Sequence, residues 1–320
     1  MGRKLYKEKI ANYLNRDQKT EELGFDNSRL SYIPEYFSSY VEQERIPNFV
    51  CLVSRFGEVA HYSHQGFKNT ESQDEINNET IFRIYSMTKP ITSVAIMMLY
   101  ERGLIRLEHE LYRYLPEFKN TEAWETGDIN NFKTKPLNNP ILIRDLLTHT
   151  AGFTYDFMLG HPAIGLYRKN GLHDYKNIET KEEMDLEEFC NKLSTLPLLF
   201  EPGEKWHYSC SIDILGRVVE VVSGMKLDAF FRENIFNPLE MLDTGFYVEK
   251  DKLDRFSDCY QTMLGSKKKN MTLSHVAGND EFSKSRNFLS GGGGLCSTIS
   301  DYANFCQMLL NKGIFNGNRI

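Results

Sequence analysis

Between residues 80 and 103 the hydrophobic pattern changes its period once, and that change restricts what can be built around it. Two strand-like runs, Asn48–Arg55 and Glu58–Gln65, meet at Gly57 and read as a hairpin. A third short run, Thr80–Tyr85, gives way directly to a long apolar stretch, Met87–Arg102. That stretch reads as a buried helix stopped by Gly103. Pro90 fits only its first turn, where a missing N–H costs little.

The flanking sequence extends this frame. Residues 1–28 read as a polar, irregular lead-in, and residues 33–44 as a helix with Ile33, Tyr36, Phe37 and Val41 on one face. Residues 105–240 look mostly helical, with helices over Ile143–Thr148, Leu186–Leu196, Ser211–Val222 and Leu227–Ile235. Gly224 closes the third of these. Asn130 to Pro140, with two prolines and four asparagines, reads as a loop. Strand-like pieces follow at Thr244–Val248 and Phe256–Met263, then the glycine run Gly291–Gly294 and a helix over Thr298–Asn311. The order predicts an α+β fold: an antiparallel sheet flanked by helices, with an inserted helical lobe. The sheet lobe is expected at about 29–104 and 241–320, and the helical lobe at about 105–240.

Composition excludes several functions. The formal net charge of -6 gives no basic face for nucleic acid. The one dense basic run, Ser266-Lys267-Lys268-Lys269-Asn270, reads as a solvated loop. No stretch approaches the ~20 apolar residues of a membrane helix. The N-terminal residues lack the apolar core of a signal peptide, and Tyr6 breaks the myristoylation pattern, so a cytoplasmic protein is expected. The six cysteines form no C-x-x-C pair and the eight histidines no H-E-x-x-H spacing. No metal and no cofactor are therefore expected.

The pattern S-x-x-K occurs three times, at Ser86–Lys89, Ser223–Lys226 and Ser266–Lys269. Context separates them. Ser223 sits at a helix end beside its stop signal, and Ser266 lies in a polar loop. Ser86 stands where a strand turns into an apolar helix. Free N–H groups and the positive end of the helix dipole face such a position. Ser86 and Lys89, three apart, share one helix face. A serine hydroxyl becomes nucleophilic only when a base takes its proton, and a lysine in a sheltered site can serve. An N-cap serine beside a surface lysine explains the same residues equally well. Tyr208, in Trp206-His207-Tyr208-Ser209-Cys210 before a helix, reads alone as a packing residue. No G-x-S-x-G elbow occurs, which argues against an ordinary α/β-hydrolase. Ser290, Ser297 and Ser300 lack a neighbouring base, and the glycines beside them read as permitting a tight backbone path.

Taken in order, four segments resemble the serine β-lactamase-like superfamily. They are Ile84–Thr92, Ile143–Gly152, Glu201–Ser209 and Ser290–Leu295. The group includes class C β-lactamases, D-Ala-D-Ala peptidases and family VIII carboxylesterases. The resemblance implies catalytic roles for Ser86, Lys89 and Tyr208. Ser86 would attack a small-molecule ester or amide, and Lys89 and Tyr208 would relay its proton. The Ser86 N–H would form half of an oxyanion hole.

Two departures from the family pattern bear on substrate. β-Lactamases and peptidases usually carry Tyr-x-Asn where this chain has Tyr208-Ser209-Cys210. Tyr-Ser-x is nearer to family VIII esterases, so carboxylester hydrolysis through an acyl-enzyme is expected. The family's third motif is expected beyond the helix Thr298–Asn311 and is not reached before Ile320, so a C-terminally truncated domain is expected. β-Lactamase, D-amino-acid peptidase or acyltransferase activity on the same site is the alternative, and a non-catalytic binding member another.

Overall fold

A computed structural model describes residues 5–15, 20–172, 182–262 and 271–320. The basic run at 266–270 and the end of the strand-like run at Met263 lie outside the described residues. The chain forms two compact units. One comprises the chain up to Arg83, Glu233–Ser285 and Cys296–Ile320; the other comprises Ile84–Arg232 and Arg286–Leu295.

The first unit is organised on the hairpin. Asn48–Arg55 pairs antiparallel with Glu58–Asn69, and Asp74–Glu75 adds a third strand. Phe56 and Gly57 make the turn with φ of 54° and 78°, the left-handed pair that matches strand twist. A second antiparallel pair joins Phe82–Arg83 to Cys296–Ser297. At Thr244–Val248 only Gly245 bridges, to Cys296. Cys259–Thr262 pairs with Met271–His275.

The lead-in departs from the sequence expectation. Tyr6–Leu14 is a helix. Four of its nine residues are charged or amide-bearing, but Tyr6 and Ile10 lie one turn apart and are both buried. They pack with Val59, Tyr62 and Ala303. The Tyr6 hydroxyl bonds Ser54 Oγ and Gln307 Oε1, each at 2.9 Å. Two anchors at helical spacing suffice when a hairpin and the helix Ile299–Leu310 already offer a surface.

The second unit holds most of the helices. Thr88–Glu101 packs against Ser211–Ser223, which also touches Ile143–Leu147, Leu186–Leu193 and Leu227–Phe231. Nine residues of Ser211–Ser223 are buried, which makes it the hub of this unit. Gly224 ends it at φ 71° with its N–H on the Glu220 carbonyl. Arg286 donates to Glu183 Oε1 at 3.0 and 3.1 Å, and the Asn287 N–H to Glu183 Oε2 at 2.8 Å. These bonds tie the returning segment 286–295 into the unit.

Residues 130–140 do not form the loop their composition implies. Glu122–Asp128 and Asn131–Pro136 are an antiparallel hairpin. Trp124 stacks on Phe132 at 4.8 Å, and Trp124 N–H and Leu198 N–H exchange backbone bonds with Leu198 and Glu122. Asp128 Oδ1 accepts from the backbone N–H groups of Asn130 and Asn131, so the Asp128 side chain closes the turn. Gly127 stands at φ 108°, and a Cβ there would lie 2.2 Å from the Asn131 carbonyl oxygen. Gly127→Ala is expected to destabilise the chain by about 1–3 kcal/mol. The midpoint of a denaturant melt checks this, and an unchanged midpoint would show that the hairpin relaxes without cost.

Candidate active site

Ser86 enters through a strained junction. Tyr85 holds a left-handed φ of 41°, and Tyr85–Met87 form a 3-10 turn that runs into the helix Thr88–Glu101. Left-handed backbone at a non-glycine residue is costly and persists only where its surroundings enforce it. Here Ile84 N–H bonds the Leu295 carbonyl at 2.9 Å, and Leu295 N–H bonds Thr88 Oγ1 at 3.1 Å. The result leaves Ser86 exposed and Lys89, one turn on, half-buried.

Tyr208 arrives from the far side of the sequence. His207 N–H bonds the His149 carbonyl at 2.8 Å, and Cys210 N–H bonds the Thr154 carbonyl at 3.3 Å. These bonds lay the segment before helix Ser211–Ser223 against residues 149–154. Tyr208 OH and Ser86 Oγ then share a hydrogen bond of 2.5 Å. Lys89 Nζ donates to the same Ser86 oxygen at 3.3 Å and to the Gly292 carbonyl at 2.5 Å. It also lies 4.6 Å from the centre of the Tyr208 ring. Ser86, Lys89 and Tyr208 are thus in mutual contact.

The other sequence candidates stand elsewhere. Ser223 Oγ donates back to the Val219 carbonyl at 2.7 Å, and Lys226 pairs with Asp185. Ser290 Oγ donates to Asp213 Oδ1 at 2.5 Å. The glycine run takes a tight path: a Cβ on Gly291 would lie 2.8 Å from the Ile212 carbonyl oxygen. Cys210 is buried, and burial pushes its thiol well above the usual range.

Three contributors were not singled out in the sequence. Tyr155 sits 5.5 Å from Tyr208, ring to ring, with Lys89 Nζ 5.5 Å from its centre. His149 lies 5.0 Å from the Tyr208 ring, with Nδ1 3.2 Å from Ser209 Oγ. Asp213 supports the glycine run from behind. Only Asp213 carried a local signal, an acid in the first turn of a helix.

Aromatic rings extend outward from the centre. Phe157 stacks on Tyr155 at 4.8 Å, and Trp206 leans on Tyr208 at 6.4 Å. Phe157 is 60% exposed and Trp206 67% exposed, so the outer ring of each pair faces solvent.

With this geometry in view, the chain belongs to the beta-lactamase family, whose family model matches residues 33–319. It is 34% identical to esterase EstB of Burkholderia gladioli over 210 residues, covering 66% of this chain and 50% of that one. It is 31% identical to the lovastatin esterase of Penicillium rubens over 273 residues, covering 83% of this chain and 64% of that one. The chain therefore spans between half and two thirds of these relatives. Among solved structures it is similar to EstCE1, described as a hydrolase with promiscuous acyltransferase activity. The TM-score is 0.72 at 26% identity, over 91% of this chain and 73% of that one. A class C β-lactamase shares the fold with a TM-score of 0.65 at 16% identity, over 90% of this chain and 67% of that one.

Burial holds His149 down to about 4, and the Lys89 charge adds to that effect. A histidine of depressed pKa binds its proton more readily in the unfolded chain. It therefore costs stability as pH falls from about 6.5 towards 4. His149→Asn is expected to lose less stability than the parent across that window. Urea melts at pH 7 and pH 4.5 measure the difference, and parallel losses in both proteins would remove His149 from the acid response.

Proposed function

We propose that this chain is a serine hydrolase of carboxylic esters, acting through an acyl-enzyme on Ser86. The observation that carries the reading is one oxygen with two partners: Ser86 Oγ bonds Tyr208 OH at 2.5 Å and accepts from Lys89 Nζ at 3.3 Å. Ser86 Oγ attacks the ester carbonyl while its proton passes through Tyr208 and Lys89 to the departing alcohol oxygen. Water then enters by the reverse relay and releases the acid. The Ser86 N–H is one donor to the oxyanion, and each such donor is worth about 10²–10³ in rate.

Cys210 favours esters over β-lactams or peptides. The resemblance expects an amide at this position to hold a peptide-like side chain, and here the residue is a buried thiol. Acyl transfer to an alcohol instead of water is the second reading, supported by the description of EstCE1 and by the apolar rim that an alcohol can occupy.

Incubation with p-nitrophenyl butyrate, rapid acid quench and peptide mass spectrometry test the first step. A butyryl group on Ser86 is expected, absent from Ser86→Ala, with turnover in that variant down by at least ~10³-fold. A folded chain that never carries the adduct would favour a non-catalytic member that uses the fold for binding.

The exposed rings set a preference. Trp206 presents a broad face beside Tyr208, so aryl and other bulky apolar esters are expected to gain most from the site. Trp206→Ala should raise KM for 1-naphthyl butyrate about tenfold, a stacking contribution of ~1.4 kcal/mol, with little change for ethyl butyrate. Equal changes for both esters would rule out a specific role for the ring.

A further inference from the structure

Asp213 is the third residue of helix Ser211–Ser223 and is fully buried. The proton relay does not use it, and a carboxylate is among the costliest side chains to take out of water. Its neighbours offset that cost. Ser290 Oγ donates to Oδ1 at 2.5 Å, the Gly292 N–H to the same oxygen at 3.0 Å, and the Tyr155 hydroxyl to Oδ2 at 3.3 Å. Burial pushes the carboxyl upward, and the Ser290 bond and the Lys89 charge oppose that push.

Gly292 is held at both ends. Asp213 takes its N–H, and its carbonyl takes Lys89 Nζ at 2.5 Å. The same Nζ reaches Ser86 Oγ at 3.3 Å. A Cβ on Gly292 would lie 2.5 Å from Asp213 Oδ2 and 2.8 Å from the Tyr155 hydroxyl. The carboxylate therefore approaches the backbone as closely as only glycine allows.

The geometry points to Asp213 as a positioning residue: it fixes the turn at Ser290–Gly293 so that the Gly292 carbonyl holds Lys89 Nζ against Ser86. This rests on the reading of Ser86 and Lys89 as the reactive pair. Asp213 acts through Gly292 and carries no proton in the reaction. The arrangement resembles the outer hydrogen bonds that orient other catalytic groups, where a misplacement of one ångström costs about 10²-fold in rate.

Two variants and a control test it. Asp213→Asn keeps the shape and one acceptor for Ser290 and Gly292, whereas Asp213→Ala removes both. With p-nitrophenyl butyrate, kcat of Asp213→Ala should fall by about 10²-fold with KM within about threefold of the parent, and Asp213→Asn should recover at least about tenfold of that loss. A second readout needs no turnover: acetylation of Lys89 by acetic anhydride, followed by peptide mass spectrometry. Lys89 should label severalfold faster in Asp213→Ala and near the parental rate in Asp213→Asn. Parental kcat and parental Lys89 labelling in a folded Asp213→Ala would overturn the inference, as would a loss of kcat with labelling unchanged. If Asp213→Ala fails to fold, Asp213→Asn and Ser290→Ala decide by the same two readouts, and parental values in both overturn it. Ser86→Ala separates the two levels. Turnover that survives in that variant removes the reading of the site, and a dead Ser86→Ala with parental Asp213 variants removes only this inference.

Discussion

The absence of a side chain at Gly291 and Gly292 is the constraint on which the site depends. The turn passes against helix Ser211–Ser223 so closely that a Cβ at Gly291 would meet the Ile212 carbonyl oxygen at 2.8 Å. On the other side Thr92 Oγ1 donates to the Gly291 carbonyl at 2.7 Å, and Thr88 Oγ1 accepts from Leu295 at 3.1 Å. Thr88 and Thr92 are four apart on helix Thr88–Glu101, so one face of that helix holds the turn. The two helices at whose N-terminal ends Ser86, Lys89 and Tyr208 stand are thereby braced through a shared piece of backbone. Ser86 and Tyr208 are 122 residues apart, and their 2.5 Å contact is a property of this brace more than of either segment.

Such a brace requires polar groups in a dry place. Asp213, Thr88, Ser290 and the carbonyl of Gly291 lie inside the second unit, where an unpaired donor or acceptor costs about 1–3 kcal/mol. Each finds a partner within the same unit. The pairing is specific: Ser290 and Gly292 converge on one oxygen of Asp213, and Tyr155 takes the other. Apolar packing alone would tolerate small shifts of the turn. A convergent hydrogen-bond set does not, because its energy falls steeply with angle and distance.

The legibility of the sequence follows the range of the interactions. Ser86 and Lys89 form a local pair at a strand-to-helix junction, and that position and Pro90 set them apart from the other two S-x-x-K patterns, though a capping serine beside a surface lysine fits the same local pattern. Tyr208 looked like a packing residue until four ordered segments were read together. Asp213 shows locally only as an acid in the first turn of a helix, because its partners, Ser290 and Gly292, are 77 and 79 residues away. The hairpin at 122–136 was hidden because asparagines and prolines crowd its second half, while the side chain that closes its turn is Asp128 and the second strand ends at Pro136. Helix Tyr6–Leu14 was hidden for the opposite reason. Its polar surface is conspicuous, while the two buried residues that hold it down need the hairpin and the last long helix to be seen.

Charge around Ser86 is arranged by depth. Lys89 lies between a buried carboxylate behind it, Asp213, and the exposed serine in front. His149, beside Tyr208, is held neutral at pH 7 by burial and by the Lys89 charge. It adds no second positive charge beside Lys89. A neutral imidazole instead supplies a flat surface against Tyr208 and a ring nitrogen to Ser209. Lys89 Nζ and the Asp213 carboxylate thus meet across one glycine, with the Ser86 hydroxyl and the Tyr208 phenol on the Lys89 side.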